Sequence, residues 1–78
     1  MGISITTAFG RVLRRLRLEA GMTQEELGLD ADLQRKFISL LELGEKQPTI
    51  TSVFKLAAAL RIKPGKMIAL TDAELDEQ

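Results

Sequence analysis

Apolar residues in this chain recur at every third or fourth position, in short runs that Gly21, Gly44 and Pro64 interrupt. That spacing builds one face of a helix, and the interruptions keep each helix short. No segment shows the strict alternation of a half-buried strand. The chain is therefore read as an all-α domain of five short helices. With 78 residues it is a single domain, close to the lower size at which one apolar core suffices.

The first helix is expected after residues 1–7, which are short, β-branched and without helical period, and which read as an N-terminal arm. Thr7 is a suitable cap, and Phe9, Val12, Leu13 and Leu16 form the inner face. Gly21 is the stop. Thr23 followed by Glu26 is a capping box that opens a second helix, with Leu27 and Ala31 inward. Asp30 to Leu33 breaks the pattern, and Asp32 tolerates a left-handed turn. A third helix runs from Leu33 or Gln34 to about Leu43, with Phe37, Ile38 and Leu41 inward, and Gly44 ends it. A fourth starts at about Thr51, with Val53, Leu56, Ala57 and Leu60 inward. A short fifth follows Lys63-Pro64, because proline at the first helical position sacrifices no hydrogen bond. The domain proper is thus placed at residues 8–71, followed by an acidic tail at 72–78.

Charge permits a polyanionic partner without demanding one. Eleven bases balance eleven acids, but Asp72, Glu74, Asp76 and Glu77 sit in the last seven residues. Residues 1–71 consequently carry a surplus of four positive charges. Arg11, Arg14, Arg15 and Arg17 cluster on the first helix and read mainly as a solvated face; Arg14, near the start of the second helix, is a candidate phosphate contact. The chain has neither cysteine nor histidine, so the usual zinc ligands and the commonest general base are missing. An enzyme, a metal site and a cofactor are not expected. No apolar stretch approaches a bilayer span and no secretory signal is visible, so a cytoplasmic protein with no membrane partner is expected. The lack of cysteine agrees with a reducing compartment.

The informative unit runs from Thr23 to Leu43, two short helices joined by a tight turn. Gly28 supplies the small residue that a steep crossing needs. Leu27, Ala31, Leu33, Ile38 and Leu41 lock the pair, so the second helix projects with its N-terminal residues leading. Around this unit the chain reads Leu13-Arg14, Leu16-Arg17, Gly21, Thr23-Gln24-Glu25-Glu26-Leu27, Ala31, Leu33, Ile38-Ser39, Glu42, Gly44, Pro48, Lys55-Leu56-Ala57 and Ala59-Leu60. Over residues 9 to 70 it resembles the Cro/C1-repressor (Xre-type) helix-turn-helix family, with the flanking helices in register.

The resemblance implies a lambda-repressor-like fold and a regulator that binds double-stranded DNA as a homodimer, in a bacterium or phage. A repressor or a restriction–modification controller protein would fit, and a protein-binding module of the antitoxin kind is the alternative. Gln34, Arg35 and Lys36 match the exposed first turn of the recognition helix, and Ser39 and Leu40 lie one turn further along it. Gln24 matches a position that contacts a phosphate and braces that helix, and Lys46 and Gln47 match a loop approaching the backbone. Arg17 and Glu42 match a structural ion pair. The chemistry agrees, because Arg and Lys can donate to guanine and Gln pairs with adenine. Gln34 and Ser39 suit helix capping as well as base contact. Backbone N–H groups at the second and fourth helix starts, around Thr23 and Thr51, suit phosphate oxygens. Leu40 stands where the family usually has a polar reader, and either meets a thymine methyl or is buried. Leu43 and Glu45 replace residues often basic there. Ile62, Met67, Ile68 and Leu70 are either the edge of the core or, as a small domain suggests, a homodimer surface.

Overall fold

The structure is a computed structural model that describes residues 2–76. It is all-α: α1 (Ile5–Glu19), α2 (Gln24–Ala31), α3 (Arg35–Glu42), α4 (Ile50–Leu60) and α5 (Pro64–Asp76). No strand occurs among the described residues, and none of their helices is long and apolar enough to cross a membrane.

Both ends are more helical than the sequence suggests. α1 starts at Ile5, so residues 5–7 are not an arm, and its cap is Ser4, whose Oγ accepts from the Thr7 backbone N–H at 3.0 Å. Thr7 is thus a helical residue held by a cap. Ile5 and Phe9, one turn apart, line a common groove, and the Gly44 backbone lies against Thr7. At the other end α5 continues through Asp72, Glu74 and Asp76, where a frayed tail was expected. Glu74 is buried and takes Arg15 NH1 at 3.2 Å and Arg11 NH1 at 3.8 Å. Those α1 arginines are therefore committed to α5 and are not simply a solvated face. The last acid of the expected tail, Glu77, lies outside the described residues, as does Met1.

The internal boundaries follow local chemistry. Gly21 (φ +71) and Gly44 (φ +74) take left-handed turns after α1 and α3. The capping box forms as read, with Glu26 N donating to Thr23 Oγ1 at 3.0 Å and Thr23 N donating to Glu26 Oε1 at 2.9 Å. Asp32 (φ +56) makes the left-handed turn after α2, and Leu33 N reaches back to Gly28 O at 2.9 Å. Thr49 caps α4, its Oγ1 accepting from Ser52 N, so the helix starts one residue before Thr51.

The core joins Phe9 and Leu13 of α1, Leu27 and Ala31 of α2, Ile38 and Leu41 of α3, Val53, Leu56 and Ala57 of α4, and Met67 of α5. Burying each large side chain contributes about 1.5–3 kcal/mol. α1 packs along α5 and across α3, while α2 packs on α3 and α4. The crossing of α1 over α3 depends on Gly10: a Cβ there would overlap Leu41 O and stand 2.9 Å from Glu42 O. Gly28 has the expected role, because a Cβ there would stand 2.7 Å from Leu33 O in the turn.

Candidate nucleic-acid interface

α3 is anchored by Ile38 and Leu41, both fully buried, and half-buried Phe37 packs beside them. Arg35, Lys36, Ser39 and Leu40, with Leu43 at the C-cap, form one outward stripe by their helical spacing. Arg35 and Lys36 are exposed in its first turn. Gln34 is the N-cap by backbone position, yet its side chain makes no capping hydrogen bond and is exposed. Its amide is therefore left for an external partner. Ser39 and Leu40 are half-buried, so Leu40 is neither wholly in the core nor fully presented, while Leu43 stands out at the helix end.

A buried carboxylate fixes where this stripe points. Glu42 accepts from Arg17 Nε at 2.6 Å, from Arg17 NH2 at 3.0 Å and from Gln24 Nε2 at 3.1 Å. Arg17 NH1 also donates to Met22 O at 2.9 Å. α1, the turn before α2, α2 itself and α3 are thereby joined at one carboxylate. The hydrogen bond to Glu42 holds the Arg17 guanidinium above its ordinary pKa, and the attraction of Glu42's charge adds to this; burial opposes both. Two-pronged pairing fixes orientation as well as distance.

Several of the expected contact residues come together. Thr23, Gln24 and Arg35 line one open depression between the start of α2 and the start of α3. Thr23 is less free than the sequence suggests: its backbone N–H is taken by Glu26, and only its hydroxyl proton is left to donate. Glu25 and Glu26 place negative charge in the same turn, which disfavours a phosphate there. Arg14, Lys46 and Thr51 are exposed on α1, the α3–α4 loop and the first turn of α4 respectively. Gln47, in that same loop, is exposed but also lines a separate groove with Ile5 and Ile50.

The residues expected on a dimer surface separate. Met67 is fully buried in the core and is excluded from any surface, because the α5 face that meets α1 and α4 needs a long side chain there. Ile62 packs against the core, Leu70 is half-buried, and Ile68 is exposed. Two residues that matter were missed from the sequence. Gly10 had a signal, a glycine inside a helical apolar run, where it is unfavourable unless close packing requires it. The partnership of Glu74 with Arg11 and Arg15 had none, since it spans most of the chain. Among the described residues no group of His, Cys, Asp or Glu is arranged to hold a metal ion.

Comparison with known proteins agrees with this geometry. The chain is 35% identical over 63 residues to the HTH-type transcriptional regulator y4dJ of Sinorhizobium fredii, covering 81% of this chain and 82% of that protein. It superposes on the restriction–modification controller protein C.AhdI from Aeromonas hydrophila with a TM-score of 0.77 and 34% identity, over 80% of this chain and 94% of that one. The controller protein C.Esp1396I, solved as a tetramer with its natural 35 base-pair operator, gives a TM-score of 0.84 and 27% identity, over 94% and 96% of the two chains. The helix-turn-helix family model matches residues 13–67, from within α1 to the first turn of α5. The chain belongs to the helix-turn-helix family.

Proposed function

We propose that this protein is a sequence-specific transcriptional regulator that binds a pseudo-palindromic operator as a homodimer, with α3 in the major groove. The observation that carries the reading is the start of α3, where Gln34, Arg35 and Lys36 are exposed and Gln34 is free of any capping bond. Behind them Glu42, Arg17 and Gln24 hold the helix in one orientation. Arg35 and Lys36 read guanine, Gln34 reads adenine, and Ser39 and Leu40 lie further along the groove, Leu40 meeting a thymine methyl through its exposed part. Lys46, Gln47, Gln24, Thr51, the Thr23 hydroxyl and Arg14 supply the phosphate contacts that set register.

Likeness to controller proteins, one of them solved as a tetramer with its operator, supports DNA binding as an assembly and makes gene control of that kind the role we favour. Such a protein acts in the cytoplasm and performs no catalysis. The antitoxin-like alternative has no feature of the structure in its favour. Selection from a pool of random duplexes tests the proposal: a two-fold symmetric motif is expected, with half-site centres about 34 Å apart or a multiple of it. Recovery of no motif would overturn it.

A further inference from the structure

We infer that the corner between α4 and α5 is a second phosphate-contacting surface, through which the operator-bound protein holds a further segment of duplex DNA. The inference rests on the operator-binding reading above and adds a contact separate from α3.

Every base in the chain but three has an acidic partner or a place on the proposed DNA face. Arg11 and Arg15 pair with Glu74, Arg17 with Glu42 and Lys55 with Asp32. Arg14, Arg35, Lys36 and Lys46 stand on the proposed DNA face. Arg61, Lys63 and Lys66 remain, all exposed, and none of them enters an ion pair among the described residues. No acid occurs between Glu45 and Asp72, so this corner brings no negative charge of its own. The chain turns tightly here, with Ile62 N donating to Ala57 O at 3.0 Å and Lys66 N to Lys63 O at 2.9 Å. Ile62 packs against the core, while Gly65 sets no side chain among the three cations and the space around it is open. Cations gathered without counter-charge attract a polyanion.

The corner is set apart from the recognition helix. α4 begins beside the α3–α4 loop, where Lys46 and Thr51 approach phosphates, and it ends at Arg61. From Thr51 to Arg61 the helix advances about 15 Å, at about 1.5 Å per residue. α3 packs mainly on α1 and α2, and α5 on α1 and α4. An unbent duplex seated on α3 therefore leaves the corner in solvent, where a second segment reaches it.

A duplex suits this corner better than an acidic protein does. Residues 61–66 include no exposed large apolar side chain. The centre of a protein contact is depleted in charge and built on apolar and aromatic groups. Phosphate contacts need only cations, whose arrival releases the counterions condensed on DNA. Three such contacts hold weakly alone, but a second segment of the same long molecule is presented at raised local concentration.

A capture assay tests this. A duplex selected from the random pool is immobilised, loaded with protein and washed, and a labelled random duplex is added at low salt. The wild type should capture it, with a slope of log affinity against log salt of about −3, near 0.9 for each phosphate. The variant Arg61→Gln/Lys63→Gln/Lys66→Gln and the milder Lys63→Gln/Lys66→Gln, each confirmed folded by circular dichroism, should bind the immobilised duplex within twofold of the wild type. Capture of the labelled duplex should fall at least tenfold in the triple variant and less in the double. Undiminished capture by the folded variants, or no capture by the wild type, would overturn the corner and leave operator binding standing. Polyglutamate that displaces the labelled duplex as well as unlabelled duplex does, at equal charge, would assign the corner to an acidic protein instead. A wild type that washes off the immobilised duplex would overturn operator binding, and this inference with it.

Discussion

Arg17 and Glu42 meet side-on as a two-pronged pair, Nε to Oε2 at 2.6 Å and NH2 to Oε1 at 3.0 Å, across the junction of α1 with the last turn of α3. Both side chains are largely out of water. Such a pair is a device for orientation more than a source of stability, because burying two charges costs nearly what their attraction returns. Breaking it is another matter. Glu42→Ala strands the guanidinium and removes the acceptor of the Gln24 amide, so a loss of about 3–5 kcal/mol is expected. Urea denaturation followed by circular dichroism measures it, and a loss under 1 kcal/mol would show that the pair is not a brace.

Arg35→Ala should cost about 1–3 kcal/mol of binding to the selected site and relax preference at one base pair. Affinities for specific and random duplexes, measured side by side, separate base reading from simple charge. Equal losses on both would mean that Arg35 contacts only phosphate.

Lys46→Ala should weaken binding to every duplex alike. The slope of log affinity against log salt should become shallower by about one for each phosphate contact removed. An unchanged slope would place Lys46 away from the backbone.

Gly10→Ala sets two effects of opposite sign against each other. Helix propensity alone favours alanine by about 1 kcal/mol. The added methyl, however, overlaps the carbonyl of Leu41, a backbone group that cannot swing aside. Overpacking costs about 1–3 kcal/mol, so net destabilisation is expected, accompanied by weaker operator binding as α3 shifts. A raised melting temperature would refute the close crossing.

Glu74→Gln should lower stability by less than about 1 kcal/mol, because its arginine partners are half exposed and such pairs are weak. High salt should shrink the difference between variant and wild type. A difference that does not change with salt would mean the loss is not electrostatic.

The parts of the fold legible in the sequence are those decided by neighbours along the chain. Gly21, Gly44 and the Thr23–Glu26 box each settle a helix end within four residues. What was not legible depends on distant contacts. Ser4 and Thr7 are both good caps, and the choice between them goes with the burial of Phe9 in the core and the placement of Thr7 against Gly44. The last turns of α5 looked like a solvated acidic tail because Glu74's partners lie 59 residues away in the case of Arg15. Periodicity gave α5 an apolar side, but on a single short helix it could not rank Met67 against Ile68. At the candidate interface, the exposure of Arg35 and Lys36 at the start of α3 was readable from spacing. Whether Gln34 capped its own helix was not, since a residue that fits a cap is recognised from sequence, and an unused cap only from coordinates.

The burial of Glu74 changes how this protein would behave if shortened. Cutting before Asp72 removes the acids that offset the surplus of four positive charges in residues 1–71, and it releases Arg11 and Arg15 from their partner. The shortened chain, left with that net surplus of four, should retain more nucleic acid through purification and bind random duplexes more tightly at low salt. Loss of the acids at 72–77 should therefore narrow the gap between specific and random binding.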